Sequence, residues 1–309
     1  MPIYFLLRIL TILIVVVSVT TVPTPKAWLA FVYSIALAHY LMALIYSRRQ
    51  IAEAFRQPHV LLPLFSVAIL GTTMYMASFL LIFYFGLHHA FNEAFILRGT
   101  IPAEDDNVKA FRGSAVIVHL MLYLFIVRRQ AGIVLGPANP LFGLAGGRSG
   151  TYLSLFLLLG ALAVAYVFFF YYLYRIRRFL DLKSLIENCG FELVGLVVAL
   201  VSIQVFFSYL HVVLYHVVFW TLFPLPKIAS MGMKQLASYL GLTAVFSAAF
   251  LLLSPLGLFP SRYASALFAQ QFYIWTVVHI TSSFLLSNAH PEWIVNLFRS
   301  KAPAALAKA

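Results

Sequence analysis

Charge is scarce in this sequence. Only 10% of the 309 residues are Asp, Glu, Lys or Arg, and 63% are hydrophobic, a balance far outside that of water-soluble domains. Acidic residues are the scarcer sign, 9 against 21 basic ones. The single cysteine, Cys189, excludes an internal disulfide framework and a cysteine-ligated metal site. No Asn-x-Ser/Thr acceptor for N-glycosylation occurs. What the chain has instead is apolar length. Runs of about 20 residues, enough to cross roughly 30 Å of hydrocarbon, recur from end to end and leave no soluble domain over.

This composition predicts an all-α, polytopic integral membrane helix bundle of about eight transmembrane helices, seven being admissible, with short interfacial helices. Spans are expected at 3–22, 27–47, 61–85, 114–127, 152–174, 191–223, 235–258 and 263–287. Residues 1–290 form a single transmembrane domain, and 291–309 a short surface helix opened by Pro291 and a mobile tail. The first run lacks a small-residue cleavage site before Pro23, so it reads as a retained helix whose Arg8 snorkels toward the surface. The formal charge of +12 falls in short flanks such as Arg48-Arg49, Arg128-Arg129 and Arg175 to Lys183, the placement that anionic headgroups favour. Membrane lipids, not nucleic acid, are therefore the expected partners. A small excess of basic residues on the side of the termini places both in the cytoplasm of a bacterial inner membrane. The glycines from Gly143 to Gly150 follow no strand, which argues against a phosphate-binding loop. No internal repeat and no paired broken helices suggest a transporter.

Chemistry enters with the histidines. His39, His119, His211 and His279 lie at similar estimated depth in four spans that run toward the same side, roughly 12 to 18 Å from the helix ends at 1.5 Å per residue. Each has a polar neighbour on its helical face. Gln204, Ser208, His211 and Tyr215 form one stripe, and Gln271, Trp275, His279 and Ser283 another. Tyr46 accompanies His39, and Tyr123 accompanies His119. A metal-bound imidazole needs such support to fix its tautomer, so Tyr46, Tyr123, Gln204, Tyr215, Gln271 and Ser283 are the expected supporting residues. His216, five positions after His211, joins the same site only if the helix carries a π-bulge. Glu93 and Glu192 are expected toward the opposite side, so no carboxylate shares the histidine level and a mononuclear metal site is favoured over a carboxylate-bridged one. His88, His89 and Glu93 form an alternative metal group, read more simply as a surface cap. Against all of this stands the bland alternative, in which a membrane histidine bonds a serine or a carbonyl across helices for about 1 kcal/mol.

His211-Val-Val-Leu-Tyr-His216 with Trp220, and His279-Ile-Thr-Ser-Ser283 before Pro291-Glu292, resemble motifs of histidine-rich polytopic bacterial membrane proteins near the Brp/Blh-like β-carotene oxygenases. The corresponding patterns are H-N-x-Q-Y-H and H-x-x-x-D. This chain departs from them at Val212, Leu214 and Ser283. The resemblance covers the C-terminal third and implies iron held by histidines and oxidation of a lipid-soluble small molecule such as a carotenoid or lipid. The three departures remove polarity around the histidines and leave a non-catalytic subunit as an open reading. A haem- or chlorophyll-type pigment-binding subunit in contact with other membrane subunits is the remaining one. Enzyme and non-enzyme both stand at this point.

Overall fold

Helix is the regular structure throughout the described residues, which in the computed structural model are 3–21, 25–48, 52, 78–100, 105–135, 148–254 and 262–286. The start of the expected third span at Leu61, most of the interfacial stretch after Arg48, the glycine-rich loop over 136–147 and the helix and tail after Pro291 lie outside them. Seven of the described helical segments are long and apolar enough to cross a membrane, as an integral membrane protein requires. The chain divides into two compact units, Met1–Leu13 with Ile82–His216, and Ile14–Leu81 with Val217–Ala309.

Unit 1 is built on a helix pair, α4 (Asp106–Leu135) and α5 (Arg148–Ile176). On α4, Val108, Phe111, Ala115, Val118, Leu122 and Phe125 are buried at alternating spacings of three and four. They meet Leu162, Ala165, Tyr166, Phe169, Leu173 and Ile176 of α5. That spacing keeps one stripe facing the partner helix, and the small Ala115 and Ala165 admit close approach where lipid supplies no hydrophobic drive. The opposite face of α5 carries exposed Leu157, Val164, Val167 and Phe168, as a surface in contact with acyl chains should.

Helix α4 begins earlier than the expected Ser114, because the acidic loop is its cap. Asp105 accepts hydrogen bonds from the Asn107 backbone N–H at 2.7 Å and the Asn107 side chain at 2.9 Å, and Arg178 donates to its other oxygen at 2.8 Å. The bonds from Asn107, reinforced by Arg178, hold the Asp105 carboxyl below its ordinary range. A depressed folded value means that the stabilisation is fully present above the unfolded value of about 3.9 and is lost as pH falls through the lower folded one. In detergent, the melting temperature of the wild type is expected to fall with acidification below that point more steeply than that of Asp105→Asn. Parallel pH profiles would remove Asp105 from the account.

The basic stretch after α5 makes a tight turn. A 3-10 turn, Arg177–Phe179, ends α5, and Asp181 caps the next helix by accepting from Ser184 N–H at 2.7 Å. A short helix α6 (Leu182–Leu185), a π-helical turn (Ile186–Gly190) and helix α7 (Phe191–Val201) then make one membrane-length segment, 182–201. Here the expectation of a single helix over 191–223 needs correction. The helix ends at Val201, and a new one, α8 (Tyr209–Leu222), starts eight residues later. Arg128 of α4 explains the end: it donates to Phe125 O at 2.5 Å, to Ser202 Oγ at 2.9 Å and to Ser202 O at 2.9 Å, and so takes up a carbonyl that a continuing helix would use.

Unit 2 contains helices α2 (Pro25–Tyr46), α9 (Leu225–Ser230), α10 (Met233–Leu253) and α11 (Arg262–Leu286). Met42, Ile228 and Tyr239 form a buried cluster, and Tyr239 donates to Thr221 O at 2.9 Å. On α11, Phe272 stacks on Tyr33 with ring centres 4.2 Å apart. Helix α10 leaves Leu240, Val245 and Leu252 uncovered, again a surface suited to lipid.

Candidate functional site

Two of the sequence-nominated histidines, His39 and His279, meet within unit 2. In unit 2, His39 of α2 and His279 of α11 have ring centres 5.1 Å apart, and Tyr40 stacks on His279 at 4.7 Å. Tyr40 also shares a hydrogen bond of 3.0 Å with Thr276, whose hydroxyl donates to Phe272 O. Tyr40 and Thr276 are thus the hydroxyl groups at this pair. Tyr46, expected to support His39, is exposed and packs on Tyr239 instead. Gln271 is exposed as well, because the buried face of α11 is Phe272, Thr276, Val277, Ile280 and Phe284.

Within unit 1, His211 serves the start of α8. Ser208 N–H donates to His211 Nδ1 at 2.9 Å, and the Ser208 hydroxyl lies 2.8 Å from the same atom. This is one half of a capping box, with imidazole in the usual place of Glu, and it puts the neutral ring's proton on Nε2. The stripe expected from Gln204 through His211 is interrupted, since Gln204 falls in the exposed break before α8. No π-bulge joins His211 to His216 either: α8 is α-helical, and the π-turn lies at Ile186–Gly190.

His216 meets histidines that were expected at a surface. Helix α3 (Ser78–Thr100) carries His88 and His89, both buried, with ring centres 4.9 Å and 5.8 Å from that of His216. Phe85 lies edge-on to His216 at 5.3 Å and stacked on His89 at 6.2 Å. The surface-cap reading of this segment is therefore corrected. The reason is α3 itself, which runs as one helix through Gly86 and buries the face bearing Phe85, His88, His89 and Glu93. Gly86 permits the fit, as Tyr123 of α4 lies directly over it and donates to Ile82 O at 2.8 Å. Asn92, one turn on, contacts His88 Nε2 at 3.0 Å and orients that ring.

Carboxylates are present beside these histidines, contrary to expectation. Glu93 is fully buried and bonded at 2.5 Å to Arg8 of helix α1 (Ile3–Thr21), while Tyr215 donates to its other oxygen at 3.4 Å. Arg8 does not snorkel: its guanidinium lies over the Phe191 ring, 4.0 Å from the centre. His119 faces Glu192, with Nε2 3.0 Å from Oε1, an ion-pair distance although the ring N–H is not aligned for a hydrogen bond. Tyr123, expected to support His119, is engaged at Ile82. The sequence reading passed over Arg8, Glu187 and Asn188 as partners. Their signal was available, since ionisable groups inside apolar spans are rare and call for a partner by default.

No family model matches the chain, and no curated protein or solved structure matches it either. The resemblance to the Brp/Blh-like oxygenases accordingly rests on the short histidine motifs alone.

Proposed function

We propose that the protein is a membrane-embedded oxidoreductase in which His88, His89 and His216 hold a transition metal, iron on the motif resemblance, and which oxidises a lipid-soluble molecule such as a carotenoid or lipid. The observation that carries this reading is the gathering of three buried imidazoles of unit 1 around Phe85. The donor type fits: neutral imidazole suits iron, copper, zinc or nickel, and Arg8 neutralises the one carboxylate on α3, so the donors are imidazoles. When bound, such a metal would supply oxygen activation. The aromatic wall of Phe85, Tyr123 and Tyr215 suits an apolar substrate. A bacterial inner membrane is the proposed location, with the basic flanks toward anionic headgroups.

Metal quantification on the purified full-length protein tests this. Stoichiometric iron is expected in the wild type, with at least a tenfold loss of metal affinity in His88→Ala and His216→Ala. His211→Ala should retain the metal, since that ring caps a helix. A wild type without any transition metal would overturn the proposal.

A further inference from the structure

Two membrane-length segments of unit 1, Leu155–Phe179 and Leu182–Val201, are joined by Leu180 and Asp181 alone, so the turn between them lies at one face of the membrane. Arg175, Arg177, Arg178 and Lys183 surround it, against the single acid Asp181. The nearby acids are already engaged. Asp105 accepts from Arg178 at 2.8 Å, Asp106 pairs with Lys109 at 3.2 Å, and Asp181 caps the Ser184 N–H beside Lys183. Among the described residues no carboxylate pairs with Arg175 or Arg177.

Tyrosines hold these two guanidinium groups instead. Arg175 Nη1 donates to Tyr171 Oη at 3.0 Å. Arg177 lies over the Tyr174 ring, 3.9 Å from its centre, and donates to Tyr174 O at 2.9 Å. A side chain fixed in advance loses less freedom when a ligand binds, and the remaining N–H donors of each guanidinium stay open to phosphate oxygens.

Each tyrosine also heads an apolar stripe. Phe168 and Val164 follow Tyr171 at spacings of three and four, and Phe170 and Val167 follow Tyr174 at four and three, so two neighbouring stripes run down the exposed side of α5. From arginine to valine each covers roughly 15 Å at 1.5 Å per residue, about half of the hydrocarbon thickness. Leu182 and Leu185, exposed past the turn, keep it seated at the interface. Two stripes one leaflet deep, each headed by a fixed cation, match a lipid with two acyl chains and a net negative headgroup. A zwitterionic headgroup brings its own cation to the arginines, and a soluble phosphate leaves the stripes uncovered.

We propose that this end of α5 is a binding site for an anionic two-chain phospholipid of the adjoining leaflet, with the headgroup at Arg175 and Arg177 and the acyl chains along the two stripes. Nothing in this inference requires a metal at His88, His89 and His216.

Native mass spectrometry of the full-length protein in detergent, given equal amounts of phosphatidylglycerol and phosphatidylcholine with the same acyl chains, is the test. The wild type should retain phosphatidylglycerol at least about tenfold over phosphatidylcholine, and Arg175→Gln combined with Arg177→Gln should bring that ratio within about twofold. Lys227→Gln, which removes an exposed cation of α9, should leave the ratio at its wild-type value. Glycerol phosphate, the soluble counterpart of the headgroup, should not displace the lipid. Equal retention of the two lipids by the wild type would overturn the site. So would an unchanged ratio in the double variant, an equal loss in Lys227→Gln, or displacement by glycerol phosphate. If the double variant fails to fold, Tyr171→Phe with Tyr174→Leu takes its place: it keeps both charges but frees both side chains, and the ratio should fall at least about threefold. A ratio unmoved by that change sinks the proposal.

Discussion

Arg8→Met is expected to destabilise the protein by about 3–5 kcal/mol, the range for removing one partner of a buried ion pair. Arg8 is 1% exposed and Glu93 0%, and they meet at 2.5 Å. Met replaces the length of the arginine stem without its charge, so Glu93 is left ionised among Phe85, His89 and Tyr215, or must take up a proton. The Arg8 contact over Phe191 is lost as well. The informative comparison is the double variant, Arg8→Met with Glu93→Met. Replacing both charges by apolar side chains is often neutral or stabilising, so the double variant should recover most of what the single one loses. Unfolding in a graded detergent series, followed by circular dichroism, measures all three proteins. A single variant as stable as wild type, or a double variant worse than the single, would dispose of the argument.

The second large effect is expected at Gly86. A Cβ at that position would lie 2.5 Å from Tyr123 Cε1 and 2.6 Å from Cδ1, distances that real contacts do not reach. The ring cannot swing aside cheaply. It is buried, its hydroxyl donates to Ile82 O, and Phe85 and His89 flank it. Gly86→Ala should cost about 1–3 kcal/mol for overpacking. A further 1–3 kcal/mol follows if the Tyr123 hydroxyl is torn from its acceptor in a dry environment. The same change moves the turn that carries His88 and His89, so metal content, if the proposed function holds, should fall with stability. Tyr123→Leu opens the space over Gly86, and combined with Gly86→Ala it should cost less than the two changes added separately. Strict additivity would show that the two positions do not meet.

The helices themselves were legible because their cause is local. Apolar length dictates a backbone that satisfies its own hydrogen bonds, and membrane-length runs leave α-helix as the economical answer. The α4 stripe from Val108 to Phe125 can be read directly from spacings of three and four. Asp105 was visible as part of an acidic loop, but not as a cap, since that role depends on where the helix starts.

Other features had no local signature. Nothing in Val201 to Ser208 predicts a break, since the stretch holds neither Gly nor Pro and its Gln204 and Ser208 continue the polar stripe of a regular helix. The chain stops its helix there because Arg128, 74 positions away, takes the Ser202 carbonyl. Similarly, Arg8 and Glu93 are 85 positions apart. From the sequence each looked like a residue at or near a membrane surface, and only packing made them a buried pair.

What the sequence by itself determined is the class of molecule, an integral membrane protein of apolar helices with a few histidines and charges inside them, because hydrocarbon imposes that class on any chain of this composition. Which histidine serves which purpose was decided by tertiary structure alone. His211 caps a helix, His119 faces Glu192, His39 meets His279, and His216 meets His88 and His89. Depth along a helix sets a level in the membrane, but the partner is chosen by rotation about the helix axis and by breaks in it. Those depend on contacts between segments distant in sequence.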